Sequence, residues 1–274
     1  MPALTPEQPA RIDLAAAFRW AARLNLHEAI ANHFSVALSD DGRQFLLNPN
    51  GSHFSRIRAS DLLLLDIDKP ETFAGDNAPD PTAWYLHAGL HQRLPRARCI
   101  LHTHMPNTTA LCCLKDFEFL MLDQNACRFY QRIAYDRHYS GMALEASEGE
   151  RVAQLMGPGK SVLFMGNHGV IVVAPSVAQA FDELFYLEKA AAVQLLALST
   201  GRPLALIPDQ VAALTCAQWN NYPTRCAEPL QASERALAGQ RGHTAPGVGP
   251  QSFSELHFDA LKKILDLEEP DYRT

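Results

Sequence analysis

Apolar positions recur along the chain with two different periods, and the switches between them outline its elements. From Ile12 to Leu26 the run "IDLAAAFRWAARLNL" places apolar residues at helical spacing, and Asn25 begins the exit from that helix. "HFSVALSD" and "QFLLNPNG" are short strand-like runs, joined by the turn residues "DGR" and closed by the turn signal "NPNG". "RASDLLLLDID" reads as a short helical start followed by a strand. Between Asp76 and Leu94, Asp80 and Pro81 mark a helix start, and Leu86, Leu90 and Leu94 are spaced for burial. "CILHTH" is a strand that stops at Met105 and Pro106, and "NTTALCCL" after it is helical. Lys115 to Gly141 is less regular, whereas "ALEASEGERVAQLMG" predicts a helix ending at Gly157. "KSVLFM" and "VIVVAP" are strands on either side of the tight turn "GNHG". From Ser176, an N-cap, the periodic stretch through Thr200 predicts a helix of about six turns.

Strands and helices alternate without a solenoid-length repeat, which predicts an α/β or α+β layered domain. The composition shifts at "PLQASERALAGQRGHTAPGVGP", Pro229 to Pro250, and one more amphipathic helix follows in "FSELHFDALKKILDLEEPDYRT". The expected organisation is a main domain over 1–228 and a C-terminal arm with a docking helix over 229–274. That helix cannot bury its apolar face alone, so it must dock on its own domain or on a neighbouring subunit.

With 274 residues and 47% apolar composition the chain can bury a large core. Its formal charge of -6 provides no overall basic field for nucleic acid or an anionic membrane surface. No apolar run reaches membrane-spanning length, and "MPALTPEQPARID" lacks the basic and apolar regions of a leader, so a cytoplasmic protein is expected. The six cysteines form no CxxC pair and read as reduced core thiols, which excludes a zinc ribbon.

The chemistry concentrates in histidines. On a strand, residues i and i+2 point to the same side, so His102 and His104 present their rings together while Thr103 faces away. The strand ends just beyond them, where α/β proteins place ligands, and "GNHG" holds His168 rigidly in a turn. Three imidazoles with an open position are the ligand set of a catalytic divalent-metal site.

"HTHMPNTTAL", "GNHGVIVVAP" before a long helix, and the upstream "NHFSV" and "NPNG" together resemble the class II aldolase/adducin family over roughly Leu14 to Thr200. The resemblance implies a three-layer α/β/α domain, a ring-shaped homotetramer with sites at subunit interfaces, and His102, His104 and His168 as ligands of a divalent metal. Zinc is the expected ion, with manganese or iron as alternatives.

Two departures matter. The family's sugar-phosphate aldolases carry a catalytic glutamate nineteen residues before the first HxH histidine, and this chain has Ala83 there. Alanine can neither bind metal nor move a proton. Asn32, the Asn50-Gly51 turn and Thr82 fall where those aldolases hold phosphate, but Pro81 replaces a serine and can donate neither a hydroxyl nor an N–H. A carboxylate or aromatic substrate becomes more credible. Glu28 is a candidate for the missing acid/base, His53 for a substrate contact, and Tyr85, Tyr130 and Tyr272 for proton donors, Tyr272 by completing a neighbour's site as a family C-terminal tyrosine does. The expected activity is carbon–carbon bond cleavage, by aldol cleavage or decarboxylation, of a small hydroxylated or carboxylated compound. The rivals are a non-haem-iron oxidoreductase and a non-catalytic, adducin-like scaffold.

Overall fold

Seven strands pair into one sheet in the order β3-β2-β1-β4-β7-β6-β5. They are β1 His33–Ala37, β2 Gln44–Leu47, β3 Leu63–Asp66, β4 Cys99–Thr103, β5 Ile133–Asp136, β6 Val162–Met165 and β7 Gly169–Ala174. The computed structural model describes residues 7–75, 78–222 and 251–274. Every pairing is antiparallel except that of β5 with β6.

Alternation along each strand sends side chains to two apolar layers, so the sheet must be covered on both faces. On one face α2 Pro81–Arg93 and α4 Ala146–Met156 bury Leu86, Leu90, Val152 and Met156 against Ile100, Leu163 and Ile171. These two helices approach closely because they meet at glycines: a Cβ on Gly89 would lie 2.7 Å from the Gly149 backbone. On the other face α1 Glu7–Arg23, α3 Pro106–Cys112 and α5 Val177–Ser199 cover Leu101, Phe164 and Val172 with Phe18, Leu111 and Leu184. The result is the expected three-layer α/β/α domain.

The remaining helices among the described residues are α6 Asp209–Asn220 and α7 Phe253–Glu268. Ser252 caps α7 in a reciprocal capping box with Glu255. The helix docks on α5 and α1 of its own chain, where Phe258 meets Phe181 with ring centroids 5.7 Å apart and Trp20 Nε1 donates to the Leu261 carbonyl at 3.0 Å. Just beyond it, Glu269 and Asp271 accept from the buried Arg19 guanidinium at 2.7 and 2.9 Å. The arm of 229–250 lies outside the described residues.

Several boundaries differ from the sequence expectation. α1 extends before Ile12, and the irregular 115–141 segment contains β5 and a short 3-10 turn at Ala126–Phe129. β5 escapes notice because it is four residues of an edge strand. α6 was not expected: it buries only Ala212 and Cys216, so its apolar stripe is too small to stand out. β4 is antiparallel to both of its neighbours, so the placement of ligands beyond strand ends, a rule of parallel sheets, does not account for where the histidines sit. Cys99, Cys112, Cys113, Cys127 and Cys216 are free thiols, and Cys226 lies outside the described residues. No helix among the described residues is long and apolar enough to cross a membrane.

Candidate metal centre

Antiparallel pairing is what assembles the site. The end of β4 lies beside the start of β7, with Thr103 opposite Val170, and Met165 of β6 pairs with Gly169. The three residues between Met165 and Gly169 therefore turn directly above the end of β4, which carries His168 to His104. Backbone bonds fix this turn: Gly166 donates to the Asp136 carbonyl at 2.7 Å, Asn167 to that of Cys112 at 3.0 Å and His168 to that of Met165 at 3.1 Å. Asn167 takes the left-handed conformation at φ 53°. Gly169 is required by proximity, since a Cβ there would sit 2.5 Å from the Thr103 carbonyl oxygen.

His102, His104 and His168 each offer a ring nitrogen within 4.8 Å of the others. His102 Nδ1 lies 3.1 Å from the Val170 carbonyl, and His104 Nδ1 lies 2.6 Å from Glu28 Oε2. A carbonyl or carboxylate oxygen only accepts, so both rings carry their proton on Nδ1 and turn the Nε2 lone pair inward. Those two Nε2 atoms face each other at 3.2 Å. Two lone pairs repel at that distance unless a cation lies between them, and nitrogens bound to one tetrahedral zinc at 2.0–2.1 Å lie about 3.3 Å apart. The donor set thus fits a divalent ion, with the carboxylate–histidine and carbonyl–histidine bonds that orient metal-binding imidazoles. Burial, reinforced by neighbouring histidines, pushes His168 down to about 4 and His102 well below the ordinary histidine range, so both rings stay neutral and able to ligate.

The triad opens into a cavity of about 350 Å³. Its walls include His33 and Thr82 on the sheet and α2 side and Tyr139, Met142 and Glu148 on the other. That volume suits a small metabolite. Glu148 accepts from Arg151 through both carboxylate oxygens at 2.8 Å, so its charge is already paired.

Residues 12–195 match the model of the class II aldolase and adducin N-terminal domain. This chain belongs to the class II aldolase and adducin family. A Caulobacter vibrioides protein named for aldolase class 2 is 32% identical over 209 residues, 75% of this chain and 79% of that one. The decarboxylase NovR of Streptomyces niveus is 30% identical over 232 residues, 82% of each chain. The 4-hydroxy-3-prenylphenylpyruvate oxygenase/4-hydroxy-3-prenylbenzoate synthase of Streptomyces roseochromogenus is 29% identical over 246 residues, 87% of this chain and 86% of that one. Among solved structures, an aldolase II superfamily protein from Pseudomonas syringae superposes with a TM-score of 0.77 at 29% identity, covering 99% of this chain and 98% of that one.

Within this class II aldolase-type domain the other sequence candidates separate. Glu28 stands behind His104, outside the cavity lining, and Asn32 holds its loop by accepting from the Glu28 N–H at 2.6 Å. Thr82 lines the cavity and bonds to Asp80, the N-cap of α2. Asn50 and Gly51 do not line it: they border a separate hollow with Pro49 and Pro81. They follow β2, which ends at the same edge of the sheet as β4 but two strands away, about 9.5 Å to the side. His53 is engaged with Ser55 and lies 3.5 Å from His27, also outside the cavity. Tyr85 is half-buried on α2 and absent from the lining.

Tyr272 requires correction as a proton donor for a neighbour's site. It is fully buried in its own core and donates to Asp266 at 2.8 Å, and burial raises its phenol well above the usual range. Sequence reasoning missed Tyr139, Met142 and Glu148 as cavity residues. Tyr139 and Met142 belong to an irregular loop with no periodicity to place them, and Glu148 looks like an ordinary first-turn acid. His33 is a further cavity residue, and its adjacency to His102 across β1 and β4 follows from strand register.

Proposed function

We propose that this chain is a metal-dependent lyase that cleaves a carbon–carbon bond of a small hydroxylated or carboxylated compound. The observation that carries the reading is the pair of inward-facing Nε2 lone pairs on His102 and His104, closed by His168 at the mouth of the cavity. When bound, a divalent ion at these nitrogens supplies Lewis acidity to the oxygens of a chelating substrate. Zinc suits three neutral imidazoles with an open position, and manganese or iron are the alternatives. The chain's own contribution is orientation: Glu28 and the Val170 carbonyl fix the rings, and Thr82, Met142 and Tyr139 shape the space in front of them.

Decarboxylation is the favoured branch over aldol cleavage. Ala83 leaves α2 without the glutamate of the sugar-phosphate aldolases, and the cavity's Glu148 is paired to Arg151. Loss of carbon dioxide needs no hydroxyl proton to be removed first. A relative named as a decarboxylase supports this choice. The exposed Tyr139, Met142 and Leu144 beside the cavity support a homo-oligomer, proposed as a tetramer, in which a neighbour covers them.

The test is metal analysis of the purified chain followed by carbon dioxide release and aldehyde formation from a panel of small hydroxy and oxo acids. Release of either product, abolished by a chelator and restored by zinc or manganese, is the expected result. A chain that binds no divalent ion overturns the reading in favour of a scaffold. A relative named as an oxygenase favours one second reading, an iron-dependent oxidoreductase. Substrate-linked oxygen uptake with bound iron would select it.

A further inference from the structure

Behind the metal centre runs a buried polar chain that the ligand set does not use. His33 Nδ1 lies 2.8 Å from His87 Nε2, His87 Nδ1 contacts Ser35 Oγ, and Ser35 Oγ lies 2.7 Å from His91 Nε2. The chain ends where His91 Nδ1 meets the Ala97 carbonyl at 2.8 Å. His33, Ser35, His87 and His91 are all buried between the sheet and α2.

Only one arrangement of protons satisfies this chain. The Ala97 carbonyl accepts, so His91 donates from Nδ1 and must accept at Nε2. The Ser35 hydroxyl therefore donates to His91, and its oxygen accepts from His87 Nδ1. His87 Nε2 is then an acceptor, which His33 fills with its Nδ1 proton. Each ring has one proton to give: all three are buried, which disfavours a charged ring, and a second proton on His87 or His91 would face a proton already placed in the chain. What remains is His33 Nε2, a lone pair with no partner among the described residues. His33 lines the cavity with its ring centroid 4.7 Å from that of His102.

We propose that this relay fixes His33 Nε2 as a permanent hydrogen-bond acceptor toward the cavity, making His33 a specificity-determining residue for a substrate hydroxyl beside the histidine triad. A free imidazole could offer either a proton or a lone pair, and the relay removes the choice. A keto oxygen in the same place would meet lone pair against lone pair. Ser35, His87 and His91 are positioning residues that act through His33. The inference rests on the reading of the cavity as a small-molecule site and narrows it to hydroxy rather than oxo compounds at that position.

Two measurements test it. Long-range nitrogen–proton correlation spectra of the histidine-labelled, metal-free chain should show His33, His87 and His91 all protonated on Nδ1. Protonation of His33 on Nε2 overturns the inference whatever the cavity binds. Calorimetry with the zinc-loaded chain should then show lactate bound roughly five- to tenfold more tightly than pyruvate, which is of similar size and carries a keto oxygen in place of the donor hydroxyl. In Ser35→Ala, His87 loses its acceptor and is free to reverse, so the preference should collapse and the His33 spectrum should change. A preference that survives in Ser35→Ala, or that is absent from the unaltered chain, overturns the specificity role. If no acid of the hydroxy- and oxo-acid panel binds while the tautomers stand as assigned, the relay is upheld and it is the small-molecule reading that fails. The spectra of the unaltered chain need no variant to fold.

Discussion

Gly169 sits so close to His104 that a Cβ on the glycine would lie 2.7 Å from His104 Cδ2. The β6–β7 turn can reach the end of β4 only because that side chain is missing. Gly169→Ala should therefore push the turn away from His104, lowering stability by roughly 1–3 kcal/mol and weakening metal binding at the same time. Thermal unfolding together with zinc titration checks this; unchanged zinc affinity would show that the turn's approach does not set the ligand geometry.

Glu28 is expected to act on the ion through His104 and to have no part in moving protons at the substrate. Glu28→Gln keeps an acceptor oxygen for His104 Nδ1 and should retain most metal affinity. Glu28→Ala should lower it roughly 10- to 100-fold. A direct acid/base role predicts the opposite ranking of effects: normal metal content in both variants with turnover abolished.

Single alanine replacements of His102, His104 and His168 should each reduce bound metal in the purified chain, measured by elemental analysis. The fold should survive, most readily in His168→Ala, where the ring projects from a turn. Full metal content in all three variants would mean that the ion, if any, lies elsewhere.

Acid should destabilise the chain earlier than its carboxylates alone would dictate. His33 and His91 are held down to about 3 in the fold, against an unfolded value near 6.5. Between those values the unfolded state binds more protons, so the stability from keeping these rings neutral is complete above about 6.5 and declines as pH falls toward 3. One unit below 6.5 the loss is on the order of 1 kcal/mol per ring. Denaturant titrations from pH 7.5 to 5 should show it, and a flat profile would contradict the neutral, buried relay.

Tyr272→Phe should lower stability by about 1 kcal/mol through loss of the hydroxyl bond to Asp266. Turnover per folded molecule should not change. A selective loss of kcat in a stable Tyr272→Phe chain would restore this tyrosine to a catalytic role in a neighbouring subunit.

The fold was largely legible because its main elements announce themselves by period and cap. Asp80 and Ser176 cap α2 and α5, as their positions before apolar periodic runs require. The three histidines that converge at the cavity were legible for a similar reason: i, i+2 spacing and a turn are local facts. What the sequence concealed depends on register and layer order. The pairing of His33 with His102, and the meeting of His87 with Ser35, join residues 69 and 52 positions apart through strand order and helix packing. Asn50 and Gly51 lie outside the cavity lining for the complementary reason, since a motif fixes which end of a sheet a turn occupies and leaves its lateral distance open.

The Arg19 guanidinium has an implication for how the protein is made. Its partner Glu269 lies 250 positions along the chain, and Asp271 slightly further. While the polypeptide is still being synthesised, α1 emerges early with a cation that has nothing to neutralise it. Burying that charge alone would be strongly unfavourable, so α1 cannot seat fully until those acidic residues are translated. Seating of α1 should therefore wait for residues 269–271, made some 250 positions after Arg19, and α1 should stay only loosely docked until then.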